Sequence, residues 1–229
     1  MNASVRTAED APPPVFQGPG TRSGLRGRLF RWAVRQFGHP TGFWGGVAGR
    51  IMARRPSNRE RNRWTVDLLQ VQPTDWVLEI GFGPGVALGW LAECAYQGLV
   101  VGVDHSEVML RQAARRNAGA IHEGRIALQL ASAEHLPDLG TAFDKVMAVN
   151  VVIFWRDPVS QLTALRERLR PGGLLALTVQ PRAPGATDAD AQRIGAQLLE
   201  HLQAAGFRET RLEVRPMHPV AAVCALGRR

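Results

Sequence analysis

Val77-Leu78-Glu79-Ile80-Gly81-Phe82-Gly83-Pro84-Gly85 reads as a buried strand entering a glycine-rich turn, and the apolar run Leu99-Val100-Val101-Gly102-Val103 further on ends at an acid, Asp104. A helix starting near Val86 separates the two runs and would aim its unpaired N–H groups at an anionic part of a ligand. An acid closing the second strand can accept both hydroxyls of a ribose. Together these segments form the arrangement by which α/β proteins hold an adenosine-containing cofactor.

The dinucleotide fingerprint G-x-G-x-x-G requires a small sixth residue, and that position is Val86 here. The spacing is instead G-x-G-x-G, with Glu79 two residues before the first glycine. This resembles motif I of the class I S-adenosylmethionine (SAM)-dependent methyltransferases. Further segments resemble the same family in order. Ala131-Ser132-Ala133-Glu134-His135-Leu136-Pro137 looks like the adenine loop, Phe143 to Asn150 like the fourth strand and its ligand-facing end, and Leu169-Arg170-Pro171-Gly172-Gly173-Leu174-Leu175 like the turn into the fifth.

The resemblance spans roughly residues 57–229 and implies SAM as cofactor, with S-adenosyl-L-homocysteine as product. It implies cofactor contacts from Glu79, Gly81, Phe82, Gly83, Gly85, Asp104, His105, Met109, Ser132, Ala133, Glu134, Asn150 and Val151. Asp104 would bind the ribose, or alternatively cap the helix beginning at Ser106. Glu79 would meet the ligand's ammonium, directly or through water, or else steady the turn. Relatives often carry Gly-Asp-Ala where this chain has Ala131-Ser132-Ala133, so Ser132 would replace a stronger acceptor of the adenine amino group. His105 would stack on the adenine.

Strands are expected near 76–80, 99–103, 125–130, 144–149 and 173–179, with helices near 86–95, 106–118, 158–169 and 188–205. Short apolar strands alternating with helices predict a parallel sheet covered on both faces. Arg208 to Val214 and Val220 to Leu226, joined by Arg215-Pro216-Met217-His218-Pro219, predict a terminal antiparallel hairpin. The expected fold is therefore α/β, a Rossmann-like doubly wound seven-stranded sheet of order 3-2-1-4-5-7-6 with an antiparallel strand 7, plus an N-terminal helical extension. Ser57-Asn58-Arg59-Glu60 matches a capping box, and Trp64, Leu68 and Val71 give the helix that follows it an apolar stripe up to Pro73.

The chain has 229 residues, enough for one substantial core, and a net charge of +8 that is unevenly placed. Residues 1–63 hold twelve arginines against Glu9, Asp10 and Glu60, a net +9, whereas the remainder carries 16 basic and 17 acidic residues, a net −1. A basic extension on a neutral core disfavours nucleic acid as partner; no Asn-Pro-Pro-Tyr type motif occurs. Residues 1–20, with Pro12-Pro13-Pro14, are expected to be a disordered tail. Residues 21–56 read as a basic, aromatic helical extension or lid. The helix expected over 25–37 would cap the core or touch an anionic membrane surface.

No run of 18 apolar residues and no signal peptide is present, so a cytoplasmic protein is expected. Cys94 and Cys224 have no metal-ligand spacing and are expected to be free thiols; no metal site is expected. Phe43, Trp44, Phe154 and Trp155 are candidates for the acceptor pocket, with core packing as the alternative for the last two. His39, His105, His135 and His218 are the histidines to inspect as bases, and none sits in a spacing that marks catalysis, so no catalytic residue is assigned.

The function this implies is methyl transfer from SAM to a small-molecule acceptor. A membrane-associated lipid or quinone methyltransferase and a non-catalytic SAM-binding protein are the alternatives. Acceptor atom and oligomeric state are not encoded in any motif.

Overall fold

The structure is a computed structural model that describes residues 55–140 and 142–229. The tail expected over 1–20, the extension over 21–56 up to residue 54, the pocket candidates Phe43 and Trp44, His39 and the membrane-facing reading of the N-terminus lie outside the described residues.

The chain enters on helix α1 (Pro56–Leu69), followed by β1 (Trp76–Ile80), α2 (Val86–Cys94), β2 (Leu99–Asp104), α3 (Glu107–Arg116), the short α4 (Ala118–His122) and β3 (Ile126–Leu130). Next come β4 (Phe143–Val149), a 3₁₀ turn over Val152–Phe154, α5 (Pro158–Arg168), β5 (Leu169–Val179), α6 (Asp188–Ala204), β6 (Arg208–Arg215) and β7 (Ala222–Arg228). The seven strands form one sheet in the order β3-β2-β1-β4-β5-β7-β6. β1 pairs in parallel with β2 and β4, and β7 lies antiparallel between β5 and β6. Order and hairpin are those expected from the sequence.

Two apolar layers enclose the sheet. On one face Val77, Val100, Met147, Ala176 and Cys224 meet Trp64, Val66 and Leu69 of α1, Leu88 and Leu91 of α2, and Met109 and Ala113 of α3. On the other, Leu78, Val101, Val146, Leu175 and Val223 meet Leu162 and Leu165 of α5 and Leu198 and Leu202 of α6. Alternate residues of each strand serve opposite faces, so a strand buried on both must be apolar nearly throughout. Glu79 is the exception in β1, and it lies at the site.

Two boundaries and two short elements depart most from the expectation. α1 begins at Pro56 with Arg55 as N-cap and no side-chain cap, so the capping box over Ser57 to Glu60 does not form. Proline at the first helical position already lacks the N–H that a cap would bond. Ser57 Oγ instead accepts from Arg182, and Glu60 pairs with Arg215. β5 starts at Leu169 and not near residue 173, because Leu169 pairs with Phe143 before the register shifts around Pro171 and the glycines. α4 and the 3₁₀ turn were not expected: both are a single turn, too short to show periodicity.

Candidate functional site

The carboxyl ends of β1, β2 and β4 converge on the glycine turn, and the three glycines there serve different needs. Gly81 has φ +70°, and a Cβ on it would fall 2.4 Å from Val151 Cγ2. A Cβ on Gly85 would strike Ala113 Cβ at 2.7 Å and Asn117 Nδ2 at 2.8 Å, so this glycine lets α3 pack behind the turn. Gly83, at φ +54°, has nothing within 4 Å of the same point, so the turn is open over its α-carbon. Side-chain sterics therefore fix the outer two glycines, while only the positive φ demands the middle one.

The back of the turn is clamped by the end of α3. Asn117 Nδ2 donates to Gly85 O at 3.0 Å and Arg116 Nε donates to Pro84 O at 2.9 Å. Phe82 turns its ring inward over Gly102, where a Cβ would meet Phe82 Cδ1 at 2.8 Å, and is buried in the layer under the turn. Gly85 is the N-cap of α2 and supplies no side-chain acceptor. The first N–H groups of α2 thus point out of the helix without a capping oxygen.

Two carboxylates stand at the front. Asp104 Oδ2 accepts from Gly83 N at 2.8 Å and Oδ1 from Ser106 N at 2.9 Å. The N-cap of α3 is Ser106 itself, whose Oγ accepts from Met109 N, so Asp104 steadies the helix entry without capping it. Glu79 is 2% exposed, and its Oε2 has no hydrogen-bond partner. Burial, and then the charge of Asp104, push the Glu79 carboxyl up to about 8. Burial also raises Asp104, against the backbone N–H donors of Ser106 and Gly83 that favour its ionised form. The two acids differ in donors: backbone N–H groups favour the ionised form of Asp104, whereas Glu79 Oε2 has no donor to oppose its burial.

The remaining sequence candidates surround this centre. His105 is exposed, with Nδ1 3.8 Å from Asp104 Oδ1. Met109 is buried with Ala113 in the layer under the turn. Ser132 Oγ accepts from Glu134 N at 3.1 Å, closing a small turn of which Ala133 is part. Asn150 takes φ +57°, and its Oδ1 accepts from Gln180 N at 2.8 Å. Val151 packs onto Gly81. Of the two aromatics after β4, Trp155 joins the core and Phe154 is exposed. His105, His135 and His218 are exposed on three different loops.

A polar group that the sequence reading missed lies beside Asn150. Arg61, Thr65, Thr178 and Gln180 are all buried, and Arg61 Nη1 donates to Gln180 Oε1 at 2.6 Å. The signal was the spacing: Arg61, Thr65 and Leu69 recur at i, i+4 and i+8 on the buried face of α1.

These residues fit an adenosine-bearing cation with hydroxyl and ammonium groups: an open glycine turn, an uncapped helix, an acid at the end of β2 and a buried carboxyl oxygen lacking a partner. Among the described residues no group of three or more His, Cys, Asp or Glu could hold a metal ion, and no helix is long and apolar enough to cross a membrane.

Comparison with known proteins agrees. Residues 77–173 match the methyltransferase domain family. The chain belongs to the class I SAM-dependent methyltransferases; it is an enzyme of that class, and SAM is its cofactor. An uncharacterized methyltransferase, YdaC of Bacillus subtilis (strain 168), is 32% identical over 183 residues, which cover 80% of this chain and 98% of that protein. A tRNA U34 carboxymethyltransferase of Shewanella sp. (strain W3-18-1) is 40% identical over 103 residues, only 44% of this chain and 30% of that protein. Among solved structures, magnesium protoporphyrin IX methyltransferase from Synechocystis PCC 6803 with bound SAH shares the fold at a TM-score of 0.60 and 19% identity, covering 88% of this chain and 94% of that one.

Proposed function

We propose that the chain methylates a small-molecule acceptor, with residues 57–229 as the catalytic domain and residues 21–56 as its roof. The observation that carries the cofactor half is the convergence of Gly83, open above its α-carbon, with the partnerless Glu79 Oε2 and the Asp104 carboxylate. Asp104 accepts the ribose hydroxyls, and Glu79 faces the ammonium. Gly81, Phe82, Gly83 and Gly85 offer backbone along the ligand. His105 and Met109 lie on the adenine side with Ser132, Ala133 and Glu134, while Asn150 and Val151 lie beneath the reacting carbon.

When bound, SAM supplies a methyl group on a positively charged sulfur, open to in-line displacement. The protein's own contribution is then to align the acceptor and exclude water, worth up to ~7 to 11 kcal/mol in ideal intramolecular cases. Phe154, exposed just past β4, and Trp155 behind it border the acceptor side. No described histidine is assigned as a base.

Charge supports a small acceptor over RNA. Residues 64–229 carry a net −1, and an RNA-binding catalytic face would present a basic stripe. The test offers labelled SAM to cell extract separated into small-molecule, RNA and protein fractions, with mass spectrometry of the labelled product. Label in the small-molecule fraction that survives ribonuclease supports the reading; label confined to RNA refutes it.

A further inference from the structure

A buried arginine without a carboxylate partner sits at the carboxyl end of the sheet, on its β5 side. Arg61 is 4% exposed, and both groups it bonds are neutral amides: Gln180 Oε1 at 2.6 Å from Nη1 and Asn58 Oδ1 at 2.8 Å from Nη2. Its Nε, also buried, donates to nothing. Among the described residues no acid forms an ion pair with Arg61. The nearby charges are cations instead. Arg182, at the solvent-facing rim, donates from Nη2 to Ser57 Oγ at 2.8 Å. Burial and then Arg182 lower the Arg61 guanidinium to about 10, while burial and then Arg55 lower Arg182.

Leaving a buried guanidinium uncompensated costs several kcal/mol, which folded proteins normally offset with a paired carboxylate. Here no internal partner is present among the described residues, and the charge acting on Arg61 is a second cation, Arg182, whose Nη2 donates to Ser57 beside the Asn58 that holds Arg61. The location is informative. Gln180 N donates to Asn150 Oδ1 and Asn150 N to Thr178 O, so the group that holds Arg61 is fastened to the residue just past β4. β5 stands two strands from β1, about 10 Å from the glycine turn at the usual interstrand spacing. That offset suits the far end of an acceptor whose reacting atom lies over β4.

We propose that Arg61 and Arg182 form an oxyanion site that holds a carboxylate or phosphate of the methyl acceptor, so that the acceptor is an acidic small molecule. The assignment rests on the small-molecule reading above. Gln180 and Asn58 fix the two arms of the Arg61 fork, and its remaining N–H groups, with those of Arg182, supply charge-assisted donors to the anion.

The test uses the full chain and two probes, inorganic phosphate and acetate, titrated by calorimetry at constant ionic strength, with SAH titrated separately. At least one anion is expected to bind. Arg182→Gln, at the rim, should weaken it at least tenfold and leave SAH affinity within about twofold. Arg61→Gln should abolish it, and Arg170→Gln, which removes an exposed arginine paired with Asp144, should change nothing. No anion binding in the wild type, or equal binding in the Arg182→Gln variant, overturns the proposal. SAH binding is read independently: its failure would sink the cofactor reading, and with it the acceptor assignment, whatever the anions do.

In the labelled extract, acceptor activity should be retained on an anion exchanger. Phosphatase treatment that removes it identifies the phosphate, and survival identifies the carboxylate. Activity found only in the unretained fraction refutes an acidic acceptor.

Discussion

Gly81 lies directly against Val151: a Cβ on the glycine would come within 2.4 Å of Val151 Cγ2. The contact packs the end of β1 against the loop after β4, where the two paired strands finish side by side. Gly81→Ala must bear both this overlap and a left-handed backbone, the latter alone about 1 to 2 kcal/mol for a residue with a side chain. The variant should melt at lower temperature and lose measurable SAM binding by calorimetry. Adding Val151→Ala should recover the part due to overlap and leave the backbone part, giving a coupling energy of about 0.5 to 3 kcal/mol. Strictly additive effects would show that the two residues do not press on each other.

Glu79 should make both stability and SAM binding depend on pH. Its carboxyl is raised from 4.5 to about 8 by burial first and by Asp104 second. Such a group takes up a proton on folding. Its favourable contribution is therefore complete below its unfolded value and is lost as pH rises through the folded one. The ligand-free protein should lose stability between about pH 5 and about pH 8, by at most about 1.4 kcal/mol per pH unit for one proton. Glu79→Gln should flatten that slope. An ammonium arriving beside Glu79 favours the carboxylate, so SAM should bind more tightly as pH rises over the same range and release a proton. Calorimetry in two buffers of different ionisation enthalpy measures this; identical heats would refute the contact.

Much of the architecture was legible in the sequence because β1 and β2 are short, largely apolar runs bounded by glycine or acid, and β5 ends in another apolar run. Glu79 could be picked out by being charged within such a run. Arg61 was harder. One of three arginines, Arg59, Arg61 and Arg63, on the same helix reads as solvated, and its partner Gln180 lies more than a hundred residues away. The same non-local pairing moved the start of β5 to Leu169, whose register with Phe143 outweighs the local Pro-Gly-Gly turn chemistry.

Asp104 accepts from the backbone of Gly83 and Ser106, so removing it affects the turn as well as the ligand. Asp104→Ala should weaken SAM by about 1.5 to 3 kcal/mol, roughly tenfold to 150-fold, as expected for bonds to a charged acceptor. It should also lower the ligand-free melting temperature. Asp104→Asn keeps one acceptor oxygen and should restore more of the stability than of the affinity. Full SAM affinity in a folded Asp104→Ala protein would remove Asp104 from the ribose.

Thr65 and Thr178, both fully buried, share a hydrogen bond of 2.7 Å between their hydroxyls, and Thr65 Oγ1 also lies 2.9 Å from the Arg61 carbonyl oxygen. If Thr65 donates to that carbonyl, Thr178 must donate to Thr65. Thr65→Val then leaves the Thr178 hydroxyl without that acceptor in a closed layer, at a cost of about 1 to 3 kcal/mol. Thr178→Val should cost less, because Thr65 keeps its carbonyl. The double valine variant replaces both hydroxyls by methyl groups of similar shape and should be more stable than Thr65→Val alone. Urea unfolding of the four proteins gives the cycle, and a double variant no better than the sum of the singles would show that the two hydroxyls act independently.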